Sequence, residues 1–201
     1  DAQKYEQIFS GTKEVAENLK IEISKLQPWI DANVQGAGAI KNIEQFKGGQ
    51  SNPTYKIITE GRNLVLRRKP PGKLLPSAHA VDREYKVITA LYETDVPVPK
   101  TYGLCKDEDV AGTEFFVMDC LDGDIYWDPM LPSLTKEQRI KVYQNKNKTL
   151  AALHSVDYKK VGLDDYGKPG NYVARQVSRW SKQYMASETD NIEAMNNLIE
   201  W

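Results

Sequence analysis

Thr54-Tyr55-Lys56-Ile57-Ile58-Thr59-Glu60-Gly61-Arg62-Asn63-Leu64-Val65-Leu66-Arg67-Arg68 is the stretch on which the fold turns. Tyr55, Ile57 and Thr59 alternate with Thr54, Lys56 and Ile58, the period-two pattern of a strand with one buried face. A second strand reads from Asn63 to Arg68, and Glu60-Gly61-Arg62-Asn63 has the composition of a hairpin turn. An isolated hairpin is at best marginal in water, so its neighbours must complete a sheet. Upstream, Ile43–Phe46 supplies one strand. Downstream, the Pro-rich segment Lys69–Pro76 must be loop. Residues 77–94 then change to helical period, with Val81, Tyr85, Ile88, Leu91 and Tyr92 on one face. Pro97 and Pro99 close that helix. Strands return at Lys100–Cys105 and Glu114–Leu121, and the unbroken run Phe115-Phe116-Val117-Met118 suits a strand buried on both faces. The expectation is an α+β fold: a five-stranded antiparallel sheet with one inserted helix.

The flanks read as helical. Residues 2–33 carry apolar side chains at Tyr5, Ile8, Val15 and Leu19, then at Ile23, Leu26, Trp29 and Ile30; Gly11 and Pro28 argue for two pieces. Beyond Asp122-Gly123, Thr135 and Gln138 form a capping box for a helix of about twenty residues, whose buried face would carry Ile140, Tyr143, Leu150 and Leu153. Two further helices are expected near Tyr172–Ala186 and Asn191–Trp201. The domain reading is a helical segment over 1–35, a sheet lobe over 36–121, and a hinge with the first part of a helical lobe over 122–201. The last helix reaches the final residue without a cap or polar tail, so the helical lobe is expected to be truncated.

Bulk properties exclude more than they assert. A formal net charge of −1 gives no hint of nucleic acid or an anionic membrane as partner, and neither is expected. No apolar run approaches membrane-spanning length. Cys105 and Cys120 lack metal-ligand spacing and read as reduced thiols, which points to an intracellular, cytoplasmic protein with an organellar location left open. The opening Asp1-Ala2-Gln3-Lys4 lacks a start Met and the layout of a signal peptide, so targeting is not legible.

Four segments carry chemistry. Phe46-Lys47-Gly48-Gly49-Gln50-Ser51-Asn52-Pro53 joins two strands. Adjacent glycines let backbone approach a ligand, successive N–H groups can cradle phosphate oxygens, and Gln50, Ser51 and Asn52 add side-chain donors. A plain hairpin turn is the alternative. Alternation puts Arg67 on the face of Val65, where a cation can hold phosphates bidentately; a solvated strand end is the alternative. In the inserted helix Glu84 is the candidate to pair with that cation, with Asp82 as rival. Met118, Asp119 and Leu121 close the last strand and enter a linker. There Met118 would back an adenine, and the Asp119 carbonyl and Leu121 N–H would hydrogen-bond it. The order phosphate loop, cation, helical Glu, apolar hinge is the layout of a protein-kinase-like small lobe.

Gly48-Gly49-Gln50-Ser51-Asn52-Pro53-Thr54-Tyr55, Val65-Leu66-Arg67-Arg68-Lys69-Pro70-Pro71-Gly72, Leu75-Pro76-Ser77-Ala78-His79-Ala80-Val81-Asp82-Arg83-Glu84-Tyr85 and Leu150-Ala151-Ala152-Leu153-His154-Ser155 resemble the aminoglycoside phosphotransferase family. The resemblance is to the branch that stands alone in bacteria or is fused to acyl-CoA dehydrogenases in animals. It runs from about Ile23 to Trp201. It implies ATP and Mg2+, transfer of phosphate to the hydroxyl of a small-molecule acceptor, and, from the fused relatives, a hydroxyacyl-CoA. It also implies a catalytic His-Gly-Asp loop followed by an Asn. Neither His79 nor His154 begins such a motif, so no catalytic residue and no metal ligand is expected within this chain. A non-catalytic, pseudokinase-like nucleotide-binding or interaction module is therefore the alternative. Weaker substrate-side candidates are Trp127 in the linker and the helical pair Arg175 and Arg179, which share a face and would suit an anionic acceptor. The oligomeric state is not legible.

Overall fold

The computed structural model describes residues 8–48, 52–72 and 79–201. The chain divides into two compact units, residues 1–161 and 162–201. The first is built on a six-stranded antiparallel sheet: β1 (Thr12–Lys13), β2 (Ile40–Phe46), β3 (Thr54–Thr59), β4 (Asn63–Arg68), β5 (Thr101–Cys105) and β6 (Phe115–Asp119), in the spatial order β1-β2-β3-β4-β6-β5. Helix α1 (Ile23–Asn33) precedes β2, α2 (Val81–Leu91) joins β4 to β5, and the single turn α3 (Glu108–Ala111) joins β5 to β6. The expected α+β architecture with an inserted helix is present. It carries one strand more than expected, because Thr12–Lys13 pairs with Phe46 and Gln45 at the edge of the sheet.

The β3–β4 hairpin follows from its sequence. Tyr55, Ile57 and Thr59 are buried while Thr54, Lys56 and Ile58 are half-buried, so the alternation maps onto two faces. Register pairs Thr54 with Arg67 and Lys56 with Val65. In the turn, the Thr59 hydroxyl donates to the Arg62 carbonyl at 2.6 Å, and Gly61 N–H donates to the Ala37 carbonyl at 2.7 Å. An added Cβ on Gly61 would lie 2.0 Å from the Gly36 carbonyl oxygen, so no side chain fits there.

One face of the sheet forms the core. Tyr55, Ile57, Leu64, Leu66, Phe115 and Val117 pack against Leu26, Ile30 and Val34 from α1 and its C-terminal end. The helical reading of the 2–33 segment holds only in part: among its described residues Ile8 and Phe9 are helical and the chain leaves helix at Gly11, as expected, but the stretch from Thr12 to Glu22 is not helix of the expected kind. Among its described residues, Thr12–Lys13 is strand, Glu17–Leu19 is a 3-10 turn, and Ile23–Asn33 is one helix with Pro28 inside it. A mid-helix proline costs about 3 kcal/mol. Fully burying Leu26 and Ile30 returns about 1.5–3 kcal/mol each, which offsets it.

The opposite face receives α2, which packs on β5 and β6; the Tyr85 and Phe116 rings lie 6.0 Å apart. Phe115, Phe116 and Val117 are fully buried, as the apolar run implied. Helix α4 (Lys136–Ser155) starts with the expected capping box: Gln138 N–H donates to the Thr135 hydroxyl at 3.3 Å and Thr135 N–H to Gln138 Oε1 at 2.8 Å. Its expected buried face is not buried. Ile140, Tyr143, Leu150 and Leu153 are each between 42% and 49% exposed. Periodicity identified an apolar face but could not supply its partner. The second unit holds α5 (Tyr172–Ser187) and α6 (Glu193–Glu200), and neither contains a buried residue. Among the described residues no helix is long and apolar enough to cross a membrane.

Candidate functional site

Strand β4 sends Val65 and Arg67 to the face of the sheet that α2 covers in part, and α2 sends Glu84 back to meet Arg67. The guanidinium and carboxylate form a two-point ion pair, Nε to Oε2 and Nη2 to Oε1, the latter at 3.3 Å. Arg67 Nη1 also donates to the Thr54 hydroxyl at 3.0 Å, its directly opposed residue on β3. Three of the five guanidinium N–H donors are thus engaged among the described residues. Both partners are part-exposed, with side chains 28% and 34% accessible, so the pair is reachable from solvent. Asp82, the rival partner, is not in this pair.

Asn52 ends the glycine turn and is nearly fully buried, at 3% exposure. Its amide donates to Glu84 Oε1 at 2.9 Å, and its Oδ1 lies 2.8 Å from His79 Nδ1. Its backbone carbonyl accepts from the Thr54 hydroxyl at 3.1 Å. The turn, the strand cation and the helical carboxylate are therefore brought together through one buried amide. Gly48 lies at the other end of the turn; Gly49, Gln50 and Ser51 lie outside the described residues.

At the end of β6, Met118 opposes Val65 across the ladder. The Asp119 N–H donates to the Lys100 carbonyl at 2.9 Å, and its carboxylate accepts from the Tyr102 hydroxyl at 2.6 Å. Tyr102 in turn accepts from Arg62 Nη1 at 2.8 Å. This relay fixes the strand end, and burial together with the Asp119 bond pushes the Tyr102 phenol pKa up. Leu121 is two-thirds exposed in the linker.

Trp127, the substrate-side candidate in the linker, packs against Gly48 and keeps part of its surface exposed. Its ring lies 3.2 Å from where a Cβ on Gly48 would stand, 5.2 Å from the Phe9 ring, and its indole N–H donates to the Ser10 hydroxyl at 2.9 Å. A Cβ at 48 would meet the indole and the Phe9 carbonyl oxygen (3.3 Å) tightly, so one of them would have to shift by a few tenths of an ångström. Arg175 is committed to its own loop, donating to the carbonyls of Gly170 and, at 2.6 Å, Lys168. It and Arg179 belong to the second compact unit. Arg68 and Lys69 do not extend the cationic site. Arg68 points into the core, where it donates to the carbonyls of Ala111 (2.5 Å) and Leu19 (3.0 Å), and Lys69 pairs with Glu114 at 2.6 Å.

Two contributors escaped sequence reading. Thr54 had a signal: counting back from the turn pairs it with Arg67. His79 had none beyond its position before α2, since its contact with Asn52 depends on how the chain returns from β4. Among the described residues no three His, Cys, Asp or Glu side chains cluster as a metal site.

Comparison with known proteins adds the following. Residues 42–201 match the phosphotransferase enzyme family. Mouse acyl-CoA dehydrogenase family member 10 is 50% identical over 157 residues, covering 78% of this chain and 15% of that protein. Human acyl-CoA dehydrogenase family member 11 is 40% identical over 199 residues, covering 96% of this chain and 26% of that protein. A crystal structure from Ralstonia eutropha, of a protein assigned to the aminoglycoside phosphotransferases, superposes with a TM-score of 0.74 at 46% identity, covering 90% of this chain and 53% of the other. The chain thus spans about a quarter or less of these dehydrogenase-named relatives and about half of the solved structure.

Proposed function

The chain belongs to the phosphotransferase enzyme family, and from that membership we propose that its sheet lobe holds the nucleotide of a kinase reaction, in which the γ-phosphoryl group of ATP passes to the hydroxyl of a small molecule. The observation that carries the proposal is the Arg67–Glu84 pair beside Asn52. Phosphoryl transfer depends on positioning and on neutralising charge spread over phosphate oxygens. Glu84 and Thr54 hold the guanidinium through three of its N–H groups, and the other two, which have no partner among the described residues, would serve phosphate. On this reading the glycine-rich segment Gly48–Asn52 would supply backbone N–H donors to the phosphates, as its sequence suggests, and Met118, with the backbone of Asp119 and Leu121, would receive the adenine. The acceptor proposed is a hydroxyacyl-CoA, supported by the dehydrogenase names of the relatives. Neither histidine stands in a His-Gly-Asp motif. For these 201 residues, that favours nucleotide binding without turnover as the second reading.

The test is a nucleotide titration followed by calorimetry and thermal unfolding. ATP or ADP should raise the melting temperature, and Arg67→Ala should weaken affinity by about tenfold or more, the scale of losing charge-assisted hydrogen bonds at about 1.5–3 kcal/mol. Glu84→Gln should weaken it less, since the amide keeps one acceptor. Unchanged affinity in Arg67→Ala would remove the site. Incubating the protein with γ-labelled ATP and a hydroxyacyl-CoA separates transfer from binding alone.

A further inference from the structure

We propose that His79 is a positioning residue for this site: as its Nδ1–H tautomer it holds Asn52, and through Asn52 the carboxylate that orients Arg67. The inference rests on the proposed nucleotide site for its functional consequence, but its structural half stands alone.

A Glu84 carboxylate only accepts, so the Asn52 group that faces it must be the NH2. That leaves Oδ1, an acceptor, facing His79 Nδ1 at 2.8 Å. Two acceptors at that distance would repel. Nδ1 therefore carries the hydrogen, and the tautomer is fixed by a carboxylate two residues removed in the network. Asn52 is almost wholly buried, so an amide oxygen that lost this donor would have little water to replace it.

The backbone supports the same reading. His79 has φ = 59°, one of three described non-glycine residues at positive φ, and its carbonyl accepts from Val81 N–H at 2.9 Å as the chain turns into α2. Positive φ is uncommon for non-glycine residues, His, Asn and Asp being the side chains that enter it most readily, and it persists where the surroundings hold it. The hydrogen bond to Asn52 is a contact that does so. The consequence for the site is indirect. Glu84 Oε1 is shared between Asn52 and Arg67 Nη2, so a freed Asn52 amide would leave the carboxylate to rotate and the guanidinium with it.

Three substitutions separate the side chain from the backbone. His79→Gly tolerates the positive φ but removes the donor. His79→Asn also tolerates it and returns an N–H at the distance of Nδ1 from the backbone. His79→Gln places its amide one bond too far. Affinity for ATP and for ADP, measured by calorimetry on the full chain, should fall about five- to tenfold in the Gly and Gln variants, the scale of one hydrogen bond, and stay within about twofold in the Asn variant. Without nucleotide, long-range 1H–15N spectra should show His79 protonated at Nδ1 when neutral, with the resonance assigned by its loss in His79→Asn. An Nε2–H imidazole, or a Gly variant that binds as tightly as wild type, overturns the His79 assignment and leaves the nucleotide site in place. A wild-type protein that binds no nucleotide overturns the site itself, and the functional half of this inference with it.

Discussion

Arg67 and Arg68 are consecutive cations with opposite fates, because a strand sends successive side chains to opposite faces. Arg67 meets a carboxylate in reach of solvent. Arg68 is 4% exposed, and the partners the structure gives it are neutral: two backbone carbonyls and the Tyr55 hydroxyl at 2.8 Å. Its guanidinium lies 5.2 Å from the Tyr55 ring centre. Burial lowers the Arg68 pKa, opposed by Tyr55. Burial also raises the Tyr55 pKa, opposed by the Arg68 charge. The phenol must therefore stay protonated in the folded state. A raised folded pKa means that the native state binds this proton more tightly than the unfolded chain, so the stability it confers is complete below the ordinary tyrosine pKa and is lost as pH climbs above it. Tyr102, Cys105 and Cys120 shift in the same direction, mainly through burial, and the thiols extend the window down to about pH 9. Urea unfolding should show a flat stability from about pH 7 to 8.5 and a decline above about pH 9. Tyr55→Phe should cost about 1–1.5 kcal/mol at neutral pH, from the lost hydroxyl bonds to Leu19 and Arg68, and should make the alkaline decline shallower. An equal slope in both proteins would show that Tyr55 does not titrate in this range. At this scale the sequence told which face each arginine takes, since alternation is local. It could not tell what waited on that face: Ala111 and Leu19 reach Arg68 from 43 and 49 residues away.

Elements whose signal is local were legible, and those that depend on distant partners were not. The hairpin from Thr54 to Arg68, the capping box at Thr135 and the buried strand at Phe115–Asp119 each follow from residues adjacent in sequence. The edge strand Thr12–Lys13 is two residues long and exists only because Gln45 and Phe46 offer an unpaired edge. The α1 helix runs through Pro28 because the sheet needs Leu26 and Ile30, a tertiary gain that propensity does not contain. The hairpin turn shows the same dependence in a testable form. Gly61 could have been chosen for turn geometry alone, yet its tight spot is the Gly36–Ala37 backbone that follows α1, with 2.0 Å between an added Cβ and a carbonyl oxygen. Backbone on both sides leaves no flexible atom to move aside. Gly61→Ala should therefore cost about 3 kcal/mol, the upper range for overpacking, and should detach the 36–37 segment. Hydrogen exchange at Gly61 and Glu60, which donate to Ala37 and Ala39, reads this directly. A cost under about 0.5 kcal/mol, the level of an ordinary surface substitution, would mean that the turn is not pinned against that backbone.

At the scale of the whole chain, stability and exposed apolar surface are distributed unequally. All residues of the central core cluster lie between Ile21 and Val117. The 162–201 unit contributes none of them, while Val173, Val177, Trp180, Met185, Leu198 and Trp201 within it are each more than half exposed. Exposed apolar side chains in this number promote association where they adjoin. The Arg67–Glu84–Asn52–His79 network lies wholly within the first unit, so neither its geometry nor the core that positions it depends on residues after Val161. A chain ending at Val161 should consequently keep the melting transition of the 201-residue chain to within about 3 °C, a shift equivalent to less than about 1 kcal/mol for a domain of this size. It should also bind less of a hydrophobic dye and scatter less light at equal concentration, and it should retain the same affinity for ADP. Collapse of the transition on shortening would instead mean that the sheet unit draws its stability from residues 162–201, and the separation into two independent units would fail.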